Sequence, residues 1–252
     1  MAGHNKWSKV KHIKGPLDAK RGRVFSKWSK EITVAAKEGG GDPDLNPRLR
    51  QAINGAKASN MPNDNIDRAI KKGTGELGGA AVEEALYEGY APGGVAMLVE
   101  AVTDNKNRTA ADIRSIFSKG NGSFADSGSV AYLFDRKGEI RVPKSAYNED
   151  EMMELALEAG AEDVAEDGDD HLITTANDQL NAVASSLKSS GVETSSERLT
   201  FIPQTTVELD DKGIANQVIR LYEALDDCDD TLNVHANFEI ADDLAEALAE
   251  QS

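Results

Sequence analysis

Cysteine is almost absent: Cys228 is the single thiol in 252 residues. That excludes an internal disulfide framework and fits a reducing compartment, with Cys228 read as structural. Aromatic residues make up only 5% of the chain, so small cores of Val, Ile, Leu and Ala are expected in place of one large aromatic-rich core. No run approaches the ~18 apolar residues that a membrane span requires. Residues 1–15 are polar and basic, without the apolar stretch of a secretory signal or the long Arg- and Ser-rich leader of an organellar precursor. The expectation is a cytoplasmic protein with no membrane partner.

Signatures of catalysis are missing too. There is no GxSxG elbow, no Cys–His nucleophile arrangement and no HExxH. Gly73 to Gly78 has P-loop spacing, but Gly79-Ala80 follows where Lys and a hydroxyl residue belong. The glycines of 89–94 precede a strand instead of joining strand to helix, so they mark a turn. The acidic stretch 162–170 fails as a calcium loop: with Asp163 first, the third position is Ala165 and the twelfth Thr174. It reads as a solvated hairpin, and Asp226, Asp227, Asp229 and Asp230 read the same way. His4 and His12 lack the cysteines or carboxylate pair that would complete a metal site. No enzyme activity, cofactor or metal is expected.

What the chain has is charge, unevenly placed. The net charge of −16 argues against a polyanionic partner until it is divided. Residues 1–79 hold 16 Lys and Arg against 8 Asp and Glu, a net of +8, whereas the remainder holds 12 against 36, a net of −24. At physiological salt the screening length is about 8 Å, so the basic segment acts on its own surroundings rather than through the average. Such asymmetry points to nucleic acid.

The basic segment opens with an arm, residues 1–15, carrying Lys6, Lys9, Lys11 and Lys14 with Trp7 among them. Basic residues interleaved with an aromatic platform suit exposed bases and phosphates. From about Asp18 to Lys37, Val24, Phe25, Trp28, Ile32 and Ala35 recur at helical spacing. Lys20, Arg23, Lys27, Lys30 and Lys37 fall in another sector of roughly 100° on the same helix, and Arg21 adds to its positive charge. Glycines 39–41 end that helix. Asn46-Pro47 opens a second, with Leu49, Ala52, Ile53 and Ala56 inward. A third follows Met61-Pro62, with Ile66, Ala69 and Ile70 inward, Lys71 and Lys72 in its last turn, and Gly73 expected at the C′ position. Residues 73–81 read as a glycine linker closing a helical domain at 1–80.

Beyond the linker the hydrophobic period changes. A strand at 95–102, a helix at 109–119 and a strand at 130–134 form one βαβ half. A strand at 206–209, a helix at 212–225 and a strand at 232–240 form another. Between them, 138–202 reads β-α-β-β-α-β, the ferredoxin-like order. The fold class is therefore α+β in three domains. A basic helical domain spans 1–80, and a discontinuous α/β domain spans 82–134 and 205–240. A ferredoxin-like domain at 135–204 is inserted into the latter, and a short tail occupies 241–252.

The segments AGHNKWSKVKH, DAKRGRVFSKW, GGGDPDLNPRLR, NMPNDNIDRAIKKG, YEGYAPGGVAMLVEAVTDNKNRT and SGSVAYLF closely resemble the YebC/PmpR family over nearly the whole chain. The resemblance implies a three-domain DNA-binding transcriptional regulator. It also implies an alternative, because mitochondrial relatives activate translation and bacterial relatives are linked to relief of stalled ribosomes. The partner would then be ribosomal RNA. By residue, the family's basic run falls on Lys6, Lys9, Lys11, Lys14, Lys20, Arg21, Arg23 and Lys27, and a second matching segment places Asn105, Lys106, Asn107 and Arg108 at a strand-to-helix loop. Gly15-Pro16 and Trp28 depart from the family pattern. A third reading, an acidic protein-interaction scaffold, follows from the −24 on residues 80–252 alone.

Overall fold

The computed structural model describes residues 17–78, 82–241 and 244. The arm and most of the tail lie outside the described residues. Two compact units emerge, one built from Lys14–Tyr132 and Leu209–Phe238 and the other around Leu133–Glu208.

The first unit begins with three helices: α1 (Leu17–Gly39), α2 (Pro47–Ala58) and α3 (Asn63–Gly73). They bury one cluster in which Ile32, Leu49, Ile53 and Ile66 meet the small residues Ala36, Ala52 and Ala56. Asn46 caps α2 as its sequence position promises, accepting a hydrogen bond from the Leu49 amide at 3.1 Å. Its amide group also donates to the carbonyls of Ala35 and Gly40, at 2.7 and 2.9 Å, and so ties α2 to the end of α1. Trp28 is half-buried against Gly55, where an added Cβ would come within 2.2 Å of the indole. Its indole N–H donates to the Ser59 hydroxyl at 2.9 Å. Val24, expected inward, is exposed. Gly73 is not the C′ residue but lies in the last turn of α3. An added Cβ there would sit 2.3 Å from the Thr33 carbonyl oxygen, so close packing of α3 on α1 demands glycine.

The same unit continues with β1 (Glu83–Tyr90), β2 (Ala96–Thr103), α4 (Lys106–Lys119) and β3 (Ser123–Ala125), and returns after residue 208 with α7 (Lys212–Asp226) and β9 (Thr231–Ala236). The strands form one antiparallel sheet in the order β3-β1-β2-β9. Chain segments on either side of the second unit thus share a sheet. β2 is buried almost throughout. Helices α4 and α7 bury Ile113 and Phe117, and Val218, Leu221 and Leu225. Three strands differ from expectation, the short β3 among them, which falls where no strand was expected. β1, which opens with two glutamates and alternates poorly, was not expected. The strand expected at 232–240 breaks at Asn237, whose side chain accepts from the Ala96 amide at 2.7 Å and lets the chain leave the sheet.

The second unit holds β4 (Phe134–Pro143), α5 (Glu149–Ala159), β5 (Asp163–Asp167), β6 (Asp170–Ala176), α6 (Leu180–Ser189) and β7 (Ser196–Pro203). The antiparallel order β5-β6-β4-β7 is that of a ferredoxin-like sheet. β4 replaces both the strand expected at 130–134 and the one at 139–142, with only a 3₁₀ turn at Ala131–Leu133 before it. α5 starts with a capping box between Asn148 and Glu151 and ends at Gly160, whose φ of 94° suits glycine. Its apolar face joins that of α6 over Ile140, Val142 and Ile173. β8 (Val207–Leu209) pairs with β10 (Phe238–Ile240) in a separate two-stranded ribbon.

Candidate nucleic-acid interface

Apart from Lys37, whose ammonium donates to the Val82 carbonyl at 2.6 Å, the described basic stripe of α1 is Arg23, Lys27 and Lys30. At steps of four and three residues these side chains share one helix face. In the folded chain they meet the turn after α7. Arg23 pairs with Asp227, Lys27 pairs with Asp226, and the Lys30 ammonium lies 3.7 Å from Asp230. The aspartates are oddly placed for their own helix. Asp226 closes α7 and Asp227 caps it, where the negative end of the helix dipole disfavours further negative charge. The cations of α1 offset that repulsion. The turn expected to face solvent is instead the partner of the basic helix.

Asp230 is the node of this contact. It accepts hydrogen bonds from the Thr109 hydroxyl at 2.6 Å, the Arg108 guanidinium at 3.1 Å and the Thr103 hydroxyl at 3.3 Å, all through Oδ2. Burial alone would raise its pKa, but the Thr109 and Arg108 hydrogen bonds and the Lys30 charge more than offset it and hold the carboxyl below the usual range. Lys30 shifts downward: desolvation of its ammonium outweighs the attraction of Asp230 and Asp229. Its Nζ is buried and has no hydrogen-bond acceptor.

The loop residues carried over from the resemblance have local partners. Asn105 is the N-cap of α4 and accepts from the Arg108 amide at 3.1 Å. Lys106 pairs with Glu83 at 2.6 Å, and Arg108 bridges Asp104 and Asp230. Asn107 is exposed in the first turn of α4. Lys6, Trp7, Lys9, Lys11 and Lys14 lie outside the described residues. Lys20 and Arg21 fall within α1, but their side chains are not described.

A different set of cations is uncommitted. Lys57 on α2, and Arg68, Lys71 and Lys72 on α3, are exposed, and among the described residues none has a carboxylate partner. Arg48, by contrast, is gripped by Glu31, Glu38 and Glu84. Sequence reasoning treated Lys71 and Lys72 only as favourable charges at a helix end. That neither is taken up in an ion pair with a described residue, Asp67 one turn before Lys71 included, could not be read from the chain.

One buried carboxylate outside this region organises a loop. Glu88 of β1, 2% exposed, accepts from the backbone amides of Gly128, Val130 and Ala131 at 2.6, 2.6 and 2.9 Å. Desolvation pushes its pKa up, and these amides more than reverse it. The loop so held is part of SGSVAYLF, and it presents Tyr132 to solvent.

No helix among the described residues is long and apolar enough to cross a membrane. Residues 5–76 match the family model described as TACO1/YebC protein N-terminal domain, and residues 82–238 match TACO1/YebC second and third domain. A protein of Desulfatibacillum aliphaticivorans named probable transcriptional regulatory protein is 59% identical, over 96% of this chain and 98% of its own length. One of the same name from Desulfosudis oleivorans is 56% identical over 98% and 100%. The crystal structure of a conserved hypothetical protein from Aquifex aeolicus superposes with a TM-score of 0.86 at 48% identity, covering 94% of this chain and 98% of that one. With family models over both its basic and its acidic parts and relatives matched end to end, the chain belongs to the TACO1/YebC family.

Proposed function

We propose that this protein is a nucleic-acid-binding regulator of gene expression that holds its partner by the phosphate backbone, using the basic arm, the start of α1 and the uncommitted cations of α2 and α3. The observation that carries the reading is the segregation of charge: +8 on residues 1–79 against −24 on the rest. The name probable transcriptional regulatory protein borne by its relatives supports regulation of transcription. The reading involves no catalytic step, cofactor or metal.

Translation is the second reading, and one observation favours it. Base-edge recognition in a major groove needs a helix face presenting Arg, Asn and Gln. The basic face of α1 is turned to aspartates, and the exposed side of α3 mixes Asp64 and Asp67 with Arg68 and Lys71. Contacts directed by shape and phosphate suit ribosomal RNA as well as DNA.

The test is affinity for duplex DNA, structured RNA and purified ribosomes across a salt series. Each neutralised phosphate contributes about 0.7–0.9 to the slope of log affinity on log salt. Changing Lys9, Lys11 and Arg21 together to Ala is expected to flatten the slope by about two units or more and weaken binding, with the circular dichroism spectrum unchanged. Unchanged affinity and slope for every ligand would refute the reading. Preference for promoter fragments over ribosomes, or the reverse, separates transcription from translation.

A further inference from the structure

A cavity of about 250 Å³ lies between α1, the end of α3 and the junction of β2 with α4. Ser26, Ser29 and Lys30 approach it from α1 at helical spacing, Lys72 from α3, and Arg108 from the first turn of α4. Three cations from three elements therefore converge on one space. Two carboxylates also line it against the three cations, and both are already engaged: Asp104 pairs with Arg108, while Asp230 takes hydrogen bonds from Thr109, Arg108 and Thr103 through Oδ2 and faces Lys30 at 3.7 Å through Oδ1. The donors facing the space are not matched. Lys30 Nζ is buried with the Asp230 carboxylate at 3.7 Å and no acceptor within hydrogen-bond distance, Lys72 has no ion pair among the described residues, and no hydrogen bond of the Ser26 or Ser29 hydroxyl links it to another described residue. Every described contact of Arg108's guanidinium runs through Nη2.

A buried ammonium whose N–H groups lack acceptors is costly even with a carboxylate nearby, and such groups are rare in native proteins unless a ligand or water completes them. Here the surplus is of donors and positive charge, which selects an anion. A carboxylate is best held by one planar guanidinium fork, and the Arg108 fork is already partly occupied by Asp104 and Asp230. A tetrahedral oxyanion offers several acceptor oxygens pointing in different directions, which matches point-charge lysines and single hydroxyls arriving from separate helices.

We propose that this cavity is a phosphoryl-binding site, with Lys30, Lys72 and Arg108 supplying charge and Ser26 and Ser29 supplying hydroxyl donors. The same chemistry serves a free phosphate ion and a phosphate within a nucleic-acid backbone. The site does not depend on the proposed function, because a free anion would bind it even if the protein never touched nucleic acid.

The experiment titrates the full-length protein with inorganic phosphate, and separately with a short single-stranded oligoribonucleotide, at constant ionic strength set with chloride. Backbone amide shifts around residues 26–33, 72 and 103–108 are followed by NMR. Saturable shifts confined to these segments are expected with at least one ligand. Lys72→Ala, at an exposed position, is expected to weaken that binding roughly tenfold or more, as loss of a charge-assisted contact does. Lys30→Met is expected to abolish it while the protein stays folded, since methionine removes a buried charge and leaves Asp230 its other partners. If Lys30→Met does not fold, a Ser29→Ala and Lys72→Ala double variant takes its place. Saturation by phosphate identifies a site open to a free anion. Saturation by the oligoribonucleotide alone identifies a backbone-phosphate site. Absence of saturation with both ligands, or shifts that persist undiminished in the variants, overturns the proposal.

Discussion

Two acidic turns look alike in the sequence and behave differently in the fold. The hairpin between β5 and β6 was expected to be solvated, and so was the turn after α7. Neither is. In the hairpin, Asp167 holds Arg141 at 2.7 Å, Asp170 lies 3.7 Å from it, and Arg141 also meets Glu139 at 3.1 Å. β4 and β6 pair side by side there, so the arginine is a near neighbour within one sheet. In the turn after α7, Asp226, Asp227 and Asp230 meet cations some 200 residues earlier in the chain. The first turn stabilises its own sheet. The second occupies the helix face on which nucleic-acid contacts were expected, and it limits what Arg23, Lys27 and Lys30 offer an outside ligand.

The largest effect that would sharpen this contrast is expected at Arg141. Arg141→Ala leaves Asp167 mostly buried without its cation, though Glu139 keeps Arg198 at 2.8 Å. Taking the guanidinium away from a largely buried carboxylate costs about 2–3 kcal/mol, which urea denaturation would register as a lower midpoint, while affinity for nucleic acid stays unchanged. A loss under about 0.5 kcal/mol would return the hairpin to the solvated class and break the comparison.

A smaller effect on stability, but a change in binding, is expected from Asp226→Asn with Asp227→Asn. Partly exposed ion pairs contribute only about 0–1 kcal/mol each, and removing negative charge from the end of α7 offsets part of that. Freed from their aspartates, Arg23 and Lys27 become available to phosphates. Affinity should rise and the salt slope steepen by about one to two units. A salt titration with unchanged slope would mean that α1 does not contact the ligand even when released.

The smallest expected signal is a pH dependence at Lys30. Its pKa in the folded chain is lowered from 10.5, so the folded state binds fewer protons there than the unfolded state does. The resulting destabilisation is full below the folded pKa and fades as pH rises toward 10.5. Relative to Lys30→Met, the wild type should therefore gain stability with rising pH in the window just below 10.5. Parallel denaturation curves at pH 8 and pH 10 would detect the difference, and identical slopes for the two proteins would place Lys30 in solvent.

The helices of the basic segment were legible because their signals are local. Asn46-Pro47 marks a helix start, glycines 39–41 a helix end, and Ile32, Leu49 and Ile66 recur at a helical period. The ferredoxin-like unit was legible for the same reason, down to the order of its strands. β1 escaped because two glutamates open it and its one fully buried acid, Glu88, is tolerated only through the amides of a loop forty residues later. Gly73 reads as a helix cap in the sequence because the chain does not announce that Thr33 lies against it.

The sequence by itself determined where charge accumulates: a basic beginning, an acidic remainder, and lysines and arginines on one face of α1. Only the tertiary structure decided which of those charges remain free. Helical and strand periods repeat within a few residues, so a single chain displays them. The pairing of Arg23 with Asp227 across 204 positions depends on how α1 and α7 pack, and no local pattern encodes that. The same packing brings Lys30, Lys72 and Arg108 around one cavity, three residues whose separate positions in the chain gave no sign that they would meet.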